Sequence, residues 1–227
     1  RFRNLALLPS RLLVHRDSLW SFYQHRRFRM GALAQDHTMN NLSLNQIVAT
    51  ISSGERRNDF VRIIAIDGPA GSGKTTLASR IESRWADRNV LTIHMDDLYD
   101  GWENALSERL TRTLVQSIAL PASLGKSFSY RKYDWIEKRF EKTIECEVPD
   151  LLILEGVGSG QKSVRQYLDQ LIWTETDSET GLQRVLRRDG DYLETEMRVW
   201  QMRESEHFQR DNTRDCATIR IDGKYFI

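Results

Sequence analysis

The sequence is poor in cysteine and has no long apolar run, and each shortage excludes a class of protein. The 227 residues contain two cysteines, Cys146 and Cys216, which are far apart and form no CxxC motif. This spacing argues against a disulfide framework or a zinc site and favours an intracellular, reducing compartment. No apolar run approaches the length that a bilayer-spanning helix requires. We therefore expect a cytoplasmic protein without a membrane partner.

The chain also lacks a net charge excess, because 33 basic residues face 32 acidic ones for a formal charge of +1. A near-neutral chain is not typical of nucleic-acid-binding proteins, so we do not expect a nucleic-acid partner. Hydrophobic residues make up 40% of the composition, enough for a sizeable core. The length suggests one domain with an appendage.

The appendage is basic. Residues 1–38 hold seven arginines against two aspartates, a balance of +5 that leaves −4 for the remainder. This segment is an arginine-rich targeting peptide, a basic arm for nucleic acid or membrane, or non-native sequence ahead of a start at Met39 or Met30. We favour the third interpretation, with 1–38 non-native or disordered. The next segment, 39–59, predicts an amphipathic helix that Gly54 ends.

From residue 60 to 227 the pattern alternates strand and helix. Apolar, β-branched runs predict strands at 61–67, 89–95, 150–156, 170–175 and 217–222. Helical periodicity is seen at 74–88, 103–120, 178–188 and 192–213, and Pro121 is expected to end the second of these helices. Strands separated by helices predict a parallel sheet covered on both faces, with ligands at the carboxyl ends of the strands.

The segment "GPAGSGKTT" follows the first strand and fits the pattern G-x-x-x-x-G-K-[ST]. Glycines let backbone N–H groups approach phosphate oxygens, and the following helix directs its positive dipole end at the same place. Lys74 supplies a cation for the outer phosphates, and the Thr75 hydroxyl is a ligand for Mg²⁺. The motif predicts ATP and Mg²⁺ as cofactors. Its phosphate-binding residues are Gly68, Ala70, Gly71, Ser72, Gly73, Lys74, Thr75 and Thr76.

Other motifs narrow the class of P-loop protein to which the chain could belong. The chain contains neither the D-x-x-G nor the N-K-x-D pattern of GTPases. The apolar run "LLILEG" ends in Glu155, where a motor or transporter ATPase usually carries Asp. Glu155 either holds a magnesium-bound water and organises the site or is a surface carboxylate at a strand end. The surrounding apolar residues and glycines favour the site role.

The motifs "GPAGSGKTT", "MDDLY", "YDW", "LEG" and "RVLRRD" together resemble the uridine kinase-like branch of the P-loop nucleoside and nucleotide kinases over residues 60–223. The resemblance implies an α/β P-loop fold with a five-stranded, mostly parallel sheet, helices on both faces and a short helical lid. It also implies that Asp96 is the general base beside the acceptor hydroxyl and that Tyr99 contacts the acceptor. Leu98 stands where the family usually has an aromatic residue.

The resemblance assigns further residues. Tyr133 and Trp135, with Asp134 between them, are placed near the acceptor, although core packing is an equal alternative for Trp135. Asp97 is an extra carboxylate that contacts Mg²⁺ through water or faces solvent. The lid arginines are Arg184, Arg187 and Arg188, of which we select Arg184 and Arg188 as catalytic; a solvated helix face is the alternative. Thr213, Arg214 and Ala217 resemble a turn that packs near the adenine.

The sequence leaves the identity of the phosphoryl acceptor open. The chain does not reproduce the acidic, histidine-containing stretch that uridine kinases usually carry after the D-x-F-Y segment. A nucleoside, a nucleoside monophosphate and a non-nucleoside small alcohol all fit. Arg131, Lys132 and Arg139 either accommodate an anionic acceptor or are surface residues. A regulatory ATP-binding module and a nucleic-acid-associated ATPase are the competing classes. We expect a small-molecule kinase that is a monomer or a homodimer.

Overall fold

The computed structural model describes residues 42–85 and 87–226. The basic segment 1–38 and its three interpretations lie outside this range. Seven strands are present among the described residues: β1 (Arg62–Asp67), β2 (Val90–His94), β3 (Phe128–Asp134), β4 (Arg139–Cys146), β5 (Leu151–Glu155), β6 (Gln170–Glu175) and β7 (Ile219–Asp222). Five of them form one parallel sheet in the order β2–β5–β1–β6–β7. This confirms the predicted five-stranded parallel sheet.

The central strand β1 is buried along its whole length. Successive side chains of a strand point to opposite faces, so Ile63 and Ala65 enter one hydrophobic cluster while Ile64 and Ile66 enter another. An uninterrupted apolar run is therefore what a strand covered on both faces requires. The confirmed layering places the carboxyl ends of all five strands at one edge.

Helices cover both faces, as predicted. They are α1 (Leu44–Ser53), α2 (Lys74–Arg84), α3 (Glu108–Arg112), a π-helical stretch (Thr113–Ala119), α4 (Leu120–Ser123), α5 (Ser178–Asp189), α6 (Glu194–Asp211) and α7 (Thr213–Cys216). Helices α1 and α2 pack on one face, and α3, the π stretch, α5 and α6 pack on the other. Helix α1 begins in a capping box, in which Ser43 and Gln46 satisfy each other's free N–H groups.

The prediction of one helix over 103–120 was wrong at both ends. The chain turns until Ser107, and the helix begins at Glu108. Pro121 does not end it, because α4 continues to Ser123. Proline lacks one donor but is tolerated in the first turn of a helical segment, and the preceding seven residues have already widened into π-helix.

Strands β3 and β4, which the sequence analysis did not predict, form a separate antiparallel hairpin. Exposed arginine, lysine and glutamate side chains occupy four of the eight positions of β4, and the buried positions of β3 do not alternate regularly, because the register shifts after Lys132. Asp134 shapes the turn: its Oδ1 accepts the N–H groups of Ile136 and Glu137, each at 2.8 Å. None of the helices within residues 42–85 and 87–226 combines the length and the apolar character that a membrane-spanning helix requires.

Candidate active site

A cavity of about 580 Å³ opens at the carboxyl ends of the strands, where the sequence analysis expected a ligand. The P-loop borders it on one side and α5 on another. It brings together residues that the sequence analysis had selected from five separate motifs, among them Lys74, Thr75, Asp96, Tyr99, Trp135, Glu155 and Arg188. The cavity is therefore the candidate site, and its two ends differ in construction.

At the phosphate end, Lys74 begins α2 and is buried. Its ammonium donates to the carbonyl oxygens of Gly68 (2.8 Å) and Pro69 (2.7 Å), so the P-loop folds around its own lysine. Gly73 precedes the helix in the left-handed region, with φ 91°. The loop backbone and the N-terminus of α2 together form a concave, positively polarised surface that suits phosphate.

The P-loop packs against α5 through two glycines. A Cβ on Gly71 would collide with the carbonyl of Gly181, and a Cβ on Gly181 would lie 2.5 Å from the carbonyl oxygen of Ala70. The backbone of the loop and the backbone of α5 are therefore in direct contact. Gly71 also has φ 73°, which only glycine adopts without strain. Gly181 was not selected from the sequence, because its role depends on a neighbour more than a hundred residues away.

Asp67, the last residue of β1, ties two loops together. Its carboxylate accepts N–H groups from Gly68 (2.8 Å), Gly158 (3.1 Å) and Gly160 (2.8 Å), so the P-loop and the glycine-rich loop after β5 share one acceptor. Burial raises the pKa of Asp67 to about 6, although these hydrogen bonds and Lys74 oppose the shift. Asp67 holds the two loops together through these hydrogen bonds, and the sequence analysis missed it.

Glu155, at the end of β5, is buried and joins two other side chains. Its Oε1 accepts from the Thr75 hydroxyl at 3.2 Å, and its Oε2 lies 2.6 Å from Nδ1 of His94. The hydrogen bond to Glu155 raises the pKa of His94, against an opposing effect of burial. Glu155 is thus not the surface carboxylate of the alternative interpretation.

The neighbouring aspartates Asp96 and Asp97 lie in different environments. Asp96 lies in the cavity, accessible to solvent but surrounded by protein. Desolvation and the nearby Glu155 raise its pKa, while Lys74 and Arg188 act to lower it. Asp97 is not among the residues that line the cavity, and its Oδ1 forms an ion pair with Lys132 of β3 at 3.0 Å. The suggested contact of Asp97 with Mg²⁺ therefore lacks support from the geometry.

Aromatic side chains form the other end of the cavity, which we call the acceptor end after the contacts predicted for Tyr99 and Trp135. Tyr99, Trp102, Trp135 and Trp200 all line the cavity. The rings form a continuous series, with centroid distances of 5.4 Å for Trp102–Trp135, 5.8 Å for Trp102–Trp200 and 5.5 Å for Tyr99–Trp200. We call these four residues the aromatic wall. Trp102 and Trp135 are more than one-third exposed, so their rings are available to a ligand.

Hydrogen bonds hold the aromatic wall in place. The Trp135 indole donates to the backbone carbonyl of Asp96 at 3.0 Å, which links the hairpin to the segment of the candidate base. The buried Tyr99 hydroxyl donates to the carbonyl of Val157 at 2.7 Å. Tyr99 therefore presents its ring, with its hydroxyl already engaged. Tyr133 does not line the cavity; its ring packs against Trp135 and Phe140, so its predicted acceptor contact remains a prediction.

The three arginines predicted to form the lid, Arg184, Arg187 and Arg188, lie on α5 and all line the cavity. Arg184 donates to the carbonyl of Gly71 at 3.1 Å and so contacts the P-loop itself. Arg188 forms a bidentate pair with Asp189, with both distances 2.7 Å, and this pair raises the pKa of Arg188.

The turn suggested for the adenine does not line this cavity; its residues are Thr213, Arg214 and Ala217. Arg214 instead pairs with Glu175 at 2.5 Å.

Helix α6 contributes residues that the sequence analysis missed. Met197 and Trp200 face the cavity, and Glu204 lies behind them. The Glu204 carboxylate accepts the N–H of Ala70, with oxygens at 3.0 and 3.3 Å. Burial raises the pKa of Glu204 to about 7, against the opposing effect of Lys74. The spacing of Met197, Trp200, Glu204 and His207 in a charged helix was an available signal of one buried stripe.

Comparisons with known proteins agree with this geometry. A uridine kinase of Macrococcus caseolyticus is 31% identical over 140 residues, which cover 56% of this chain and 68% of that protein. A uridine kinase of Geobacillus sp. (strain WCH70) is 29% identical over 140 residues and is covered over 66% of its length, just under two thirds. No family model matches the chain.

A solved structure described as a possible uridine kinase from Bacillus stearothermophilus superposes with a TM-score of 0.58 at 18% identity. The match covers 79% of this chain and 97% of that one, and it confirms the P-loop kinase fold. Fold, motif order and sequence similarity agree, and the chain belongs to the uridine kinase family of P-loop kinases.

Proposed function

We propose that the protein transfers the γ-phosphoryl group of ATP to a hydroxyl group of a small, uncharged acceptor that carries a planar ring, such as a nucleoside. The observation that carries this proposal is the shared cavity, in which the P-loop lysine, the lid arginines and Asp96 meet an aromatic wall. Phosphoryl transfer needs positioning and charge stabilisation more than covalent chemistry. Cations at one end and a base beside a ring-binding surface at the other meet this need.

The phosphate end supports ATP as donor. Backbone N–H groups of the P-loop and the N-terminus of α2 would bind the phosphates, and Lys74 would neutralise the outer ones. In the structure its ammonium is held by the loop carbonyls of Gly68 and Pro69, so phosphate oxygens would compete with these acceptors. Arg184 and Arg188 would stabilise charge on the transferring group. Arg188 would have to exchange its pair with Asp189 for phosphate.

Thr75 and Glu155 fit Mg²⁺, because both present oxygen atoms and lie 3.2 Å apart beside the P-loop. When bound, the ion would neutralise charge on the phosphates. His94 would hold the Glu155 carboxylate in position through its Nδ1 contact.

The acceptor end supports Asp96 as the base. A raised pKa makes a carboxylate a better proton acceptor, so the desolvated position of Asp96 suits the removal of a hydroxyl proton. Trp102 and Trp135 would pack against a planar ring, since base–aromatic stacking contributes about 1–3 kcal/mol per ring. Both tryptophans adjoin the Asp96 segment, which would bring a hydroxyl on the same ligand to the carboxylate.

The basic residues around "YDW" favour an uncharged acceptor. Lys132 pairs with Asp97 at 3.0 Å, Arg139 pairs with Glu141 at 3.3 Å, and Arg131 donates to the Phe140 carbonyl. None of the three lines the cavity. A phosphate on the acceptor would therefore meet no cation of the hairpin, which makes a nucleoside a better fit than a nucleoside monophosphate.

The test is ATP consumption by the full chain with a panel of nucleosides, nucleoside monophosphates and small alcohols. We expect turnover with a nucleoside and a loss of about 10²–10⁴ in kcat for Asp96→Asn, the range that general-base catalysis contributes. Asp97→Asn is the matched control, because the neighbouring carboxylate lies outside the cavity and should leave kcat near wild type.

Two outcomes would contradict the proposal. Undiminished turnover by Asp96→Asn would remove the base assignment. Tight ATP binding without turnover on any acceptor would favour a regulatory ATP-binding module instead.

A further inference from the structure

A second cavity, of about 370 Å³, lies at the opposite edge of the sheet. Its lining includes Arg62, the first residue of β1, and Asp150, which directly precedes β5, whereas the P-loop follows the other end of β1. Helix α2 connects the two regions: it begins at Lys74 in the P-loop and ends at Arg84 in the second cavity. Eleven residues of helix span roughly 16 Å. The second cavity is therefore separate from the candidate active site.

Four arginines from separate segments converge on this second cavity. Arg56 comes from the loop before β1, Arg62 from β1 itself, and Arg84 and Arg88 from the end of α2 and the turn beyond it. We call these four residues with Trp85 the arginine cavity. Trp85 is buried, and its indole N–H has no hydrogen-bond partner among the residues the structure describes.

Positive charge in the arginine cavity is only partly balanced. Its lining contains two carboxylates, those of Asp87 and Asp150, and Asp150 already accepts the N–H of Asn89 at 3.0 Å. The Arg62 guanidinium donates to backbone carbonyls of Ser52 (3.1 Å) and Gly54 (3.2 Å). Burial lowers the pKa of Arg62, and the like charges of neighbouring arginines lower it further, although Asp169 opposes them.

The C-terminal dipole of α2 offsets about half a charge, which leaves an excess of positive charge. The excess positive charge comes with guanidinium N–H groups that are available to a ligand. Arg56 and Arg88 are exposed, and their guanidinium groups have no hydrogen-bond or ion-pair partner within residues 42–85 and 87–226. The Arg84 guanidinium contacts the neutral side chain of Asn45 at 2.6 Å. Guanidinium groups present paired N–H donors that match phosphate oxygens.

We propose that the arginine cavity binds a small phosphate-bearing anion through Arg56, Arg84 and Arg88. The concave shape suits one compact anion. Binding a single-stranded nucleic acid would call for a groove with exposed aromatic side chains, whereas Trp85 is buried. The ligand is a free phosphate anion or a phosphate ester. Because α2 joins the arginine cavity to the P-loop, such a ligand would act at a distance from the reaction.

The test is calorimetric titration of pyrophosphate into the full chain after the P-loop has been saturated with a non-hydrolysable ATP analogue. We expect pyrophosphate to bind the loaded protein, and Arg56→Gln and Arg88→Gln each to weaken that binding about tenfold, as loss of one charge-assisted contact implies. Arg80→Gln is the matched control: Arg80 is an exposed arginine on α2 that does not line the arginine cavity, so binding should be unchanged. Titrations with inorganic phosphate and with a nucleoside monophosphate distinguish the free anion from the ester.

Two results would overturn the proposal: no pyrophosphate binding by the loaded wild type, or equal binding by Arg56→Gln, Arg88→Gln and Arg80→Gln. A short oligonucleotide that binds these arginines more tightly than pyrophosphate would assign the surface to nucleic acid instead. If the ATP analogue does not bind, the proposed function fails, while the comparison of Arg56→Gln with Arg80→Gln still tests the arginine cavity.

Discussion

The phosphate end of the main cavity is built from backbone, and the acceptor end is built from side chains. The P-loop is one contiguous run of residues whose glycines bring N–H groups and carbonyls to the surface. The aromatic wall takes Tyr99 and Trp102 from the segment after β2, Trp135 from the hairpin turn and Trp200 from α6. In the proposed function, a local motif would recognise phosphate, the ligand group common to many substrates, whereas a tertiary assembly would recognise the acceptor.

This difference has a kinetic consequence. Changes at the phosphate end should alter the use of ATP, and changes in the aromatic wall should alter the use of the acceptor. The two ends share helix α6, which supplies Trp200 to the aromatic wall and Glu204 to the P-loop. A change in this helix is therefore expected to alter the use of both ATP and the acceptor.

The largest effect is expected for Lys74→Ala. The change removes the buried cation of the P-loop and leaves the carbonyls of Gly68 and Pro69 without a donor. We expect kcat to fall about 10²–10³-fold or more, as for loss of a preorganised charge-stabilising group, together with weaker ATP binding. Steady-state kinetics and ATP titration measure both. Arg80→Ala removes an exposed cation from the same helix and should change neither; an equal loss in that variant would show a non-specific effect of charge.

Gly181→Ala tests the contact between the P-loop and α5. The added Cβ would lie 2.5 Å from the Ala70 carbonyl oxygen, so backbone must shift. We expect a loss of about 1–3 kcal/mol in the free energy of unfolding and a higher KM for ATP, with KM for the acceptor little changed. Chemical denaturation and kinetics measure these. Gln183→Ala, at an exposed position of α5, is the control. Wild-type stability in Gly181→Ala would mean that the two backbones are not in contact.

Trp135→Ala addresses the aromatic wall. Loss of the ring and of its hydrogen bond to Asp96 should raise KM for the acceptor about tenfold and leave KM for ATP unchanged. Trp135→Phe keeps a ring without the indole N–H and separates stacking from anchoring. Ile136→Ala changes the adjacent residue, which is 89% exposed, and should have no effect. A change in KM for ATP alone would reverse the assignment of the two ends.

The effect expected for Glu204→Gln is on stability, and it depends on pH. The folded protein retains the Glu204 proton up to a pKa of about 7, whereas the unfolded chain releases it near the usual 4.5. Wild-type stability therefore falls as pH rises through this window. Glutamine has no proton to lose, so the variant should gain about 1–3 kcal/mol relative to wild type above pH 7 and none below pH 4.5. Denaturation at both pH values measures the difference.

Glu206→Gln, on the exposed side of the same helix, is the matched control and should show no pH-dependent difference. The same stability change at both pH values in Glu204→Gln would contradict a raised pKa and indicate a packing effect instead.

Prediction from sequence succeeded where the signal is local. The apolar runs identified all five strands of the sheet, and the P-loop pattern placed Lys74 and Thr75 in the cavity. It failed for the hairpin β3–β4, because charged residues occupy much of both strands and the register shift after Lys132 interrupts the alternation of the buried residues Phe128, Tyr130 and Tyr133. It also failed for Asp67, Gly181 and Glu204, because each contacts a partner that is distant in sequence or that the motif does not name.

The segment "HMDDLYDGW", residues 94–102, shows which features the sequence predicts and which features depend on tertiary packing. Its sequence and its position after a predicted strand indicated a site, and the resemblance selected Asp96 over Asp97. Packing then separated the two carboxylates, because Lys132 of the hairpin pairs with Asp97 and leaves Asp96 in the cavity. Burial and the charges around Asp96, which set its pKa, come from other elements.

The sequence by itself determined the phosphate cradle and the layered sheet, since glycine conformation, helix dipole and strand periodicity act over a few neighbouring residues. Only the tertiary structure decided the acceptor end. Tyr99, Trp102, Trp135 and Trp200 meet because the hairpin and α6 pack against the segment after β2. Contacts between distant segments depend on how whole elements pack, and no single stretch of sequence specifies that.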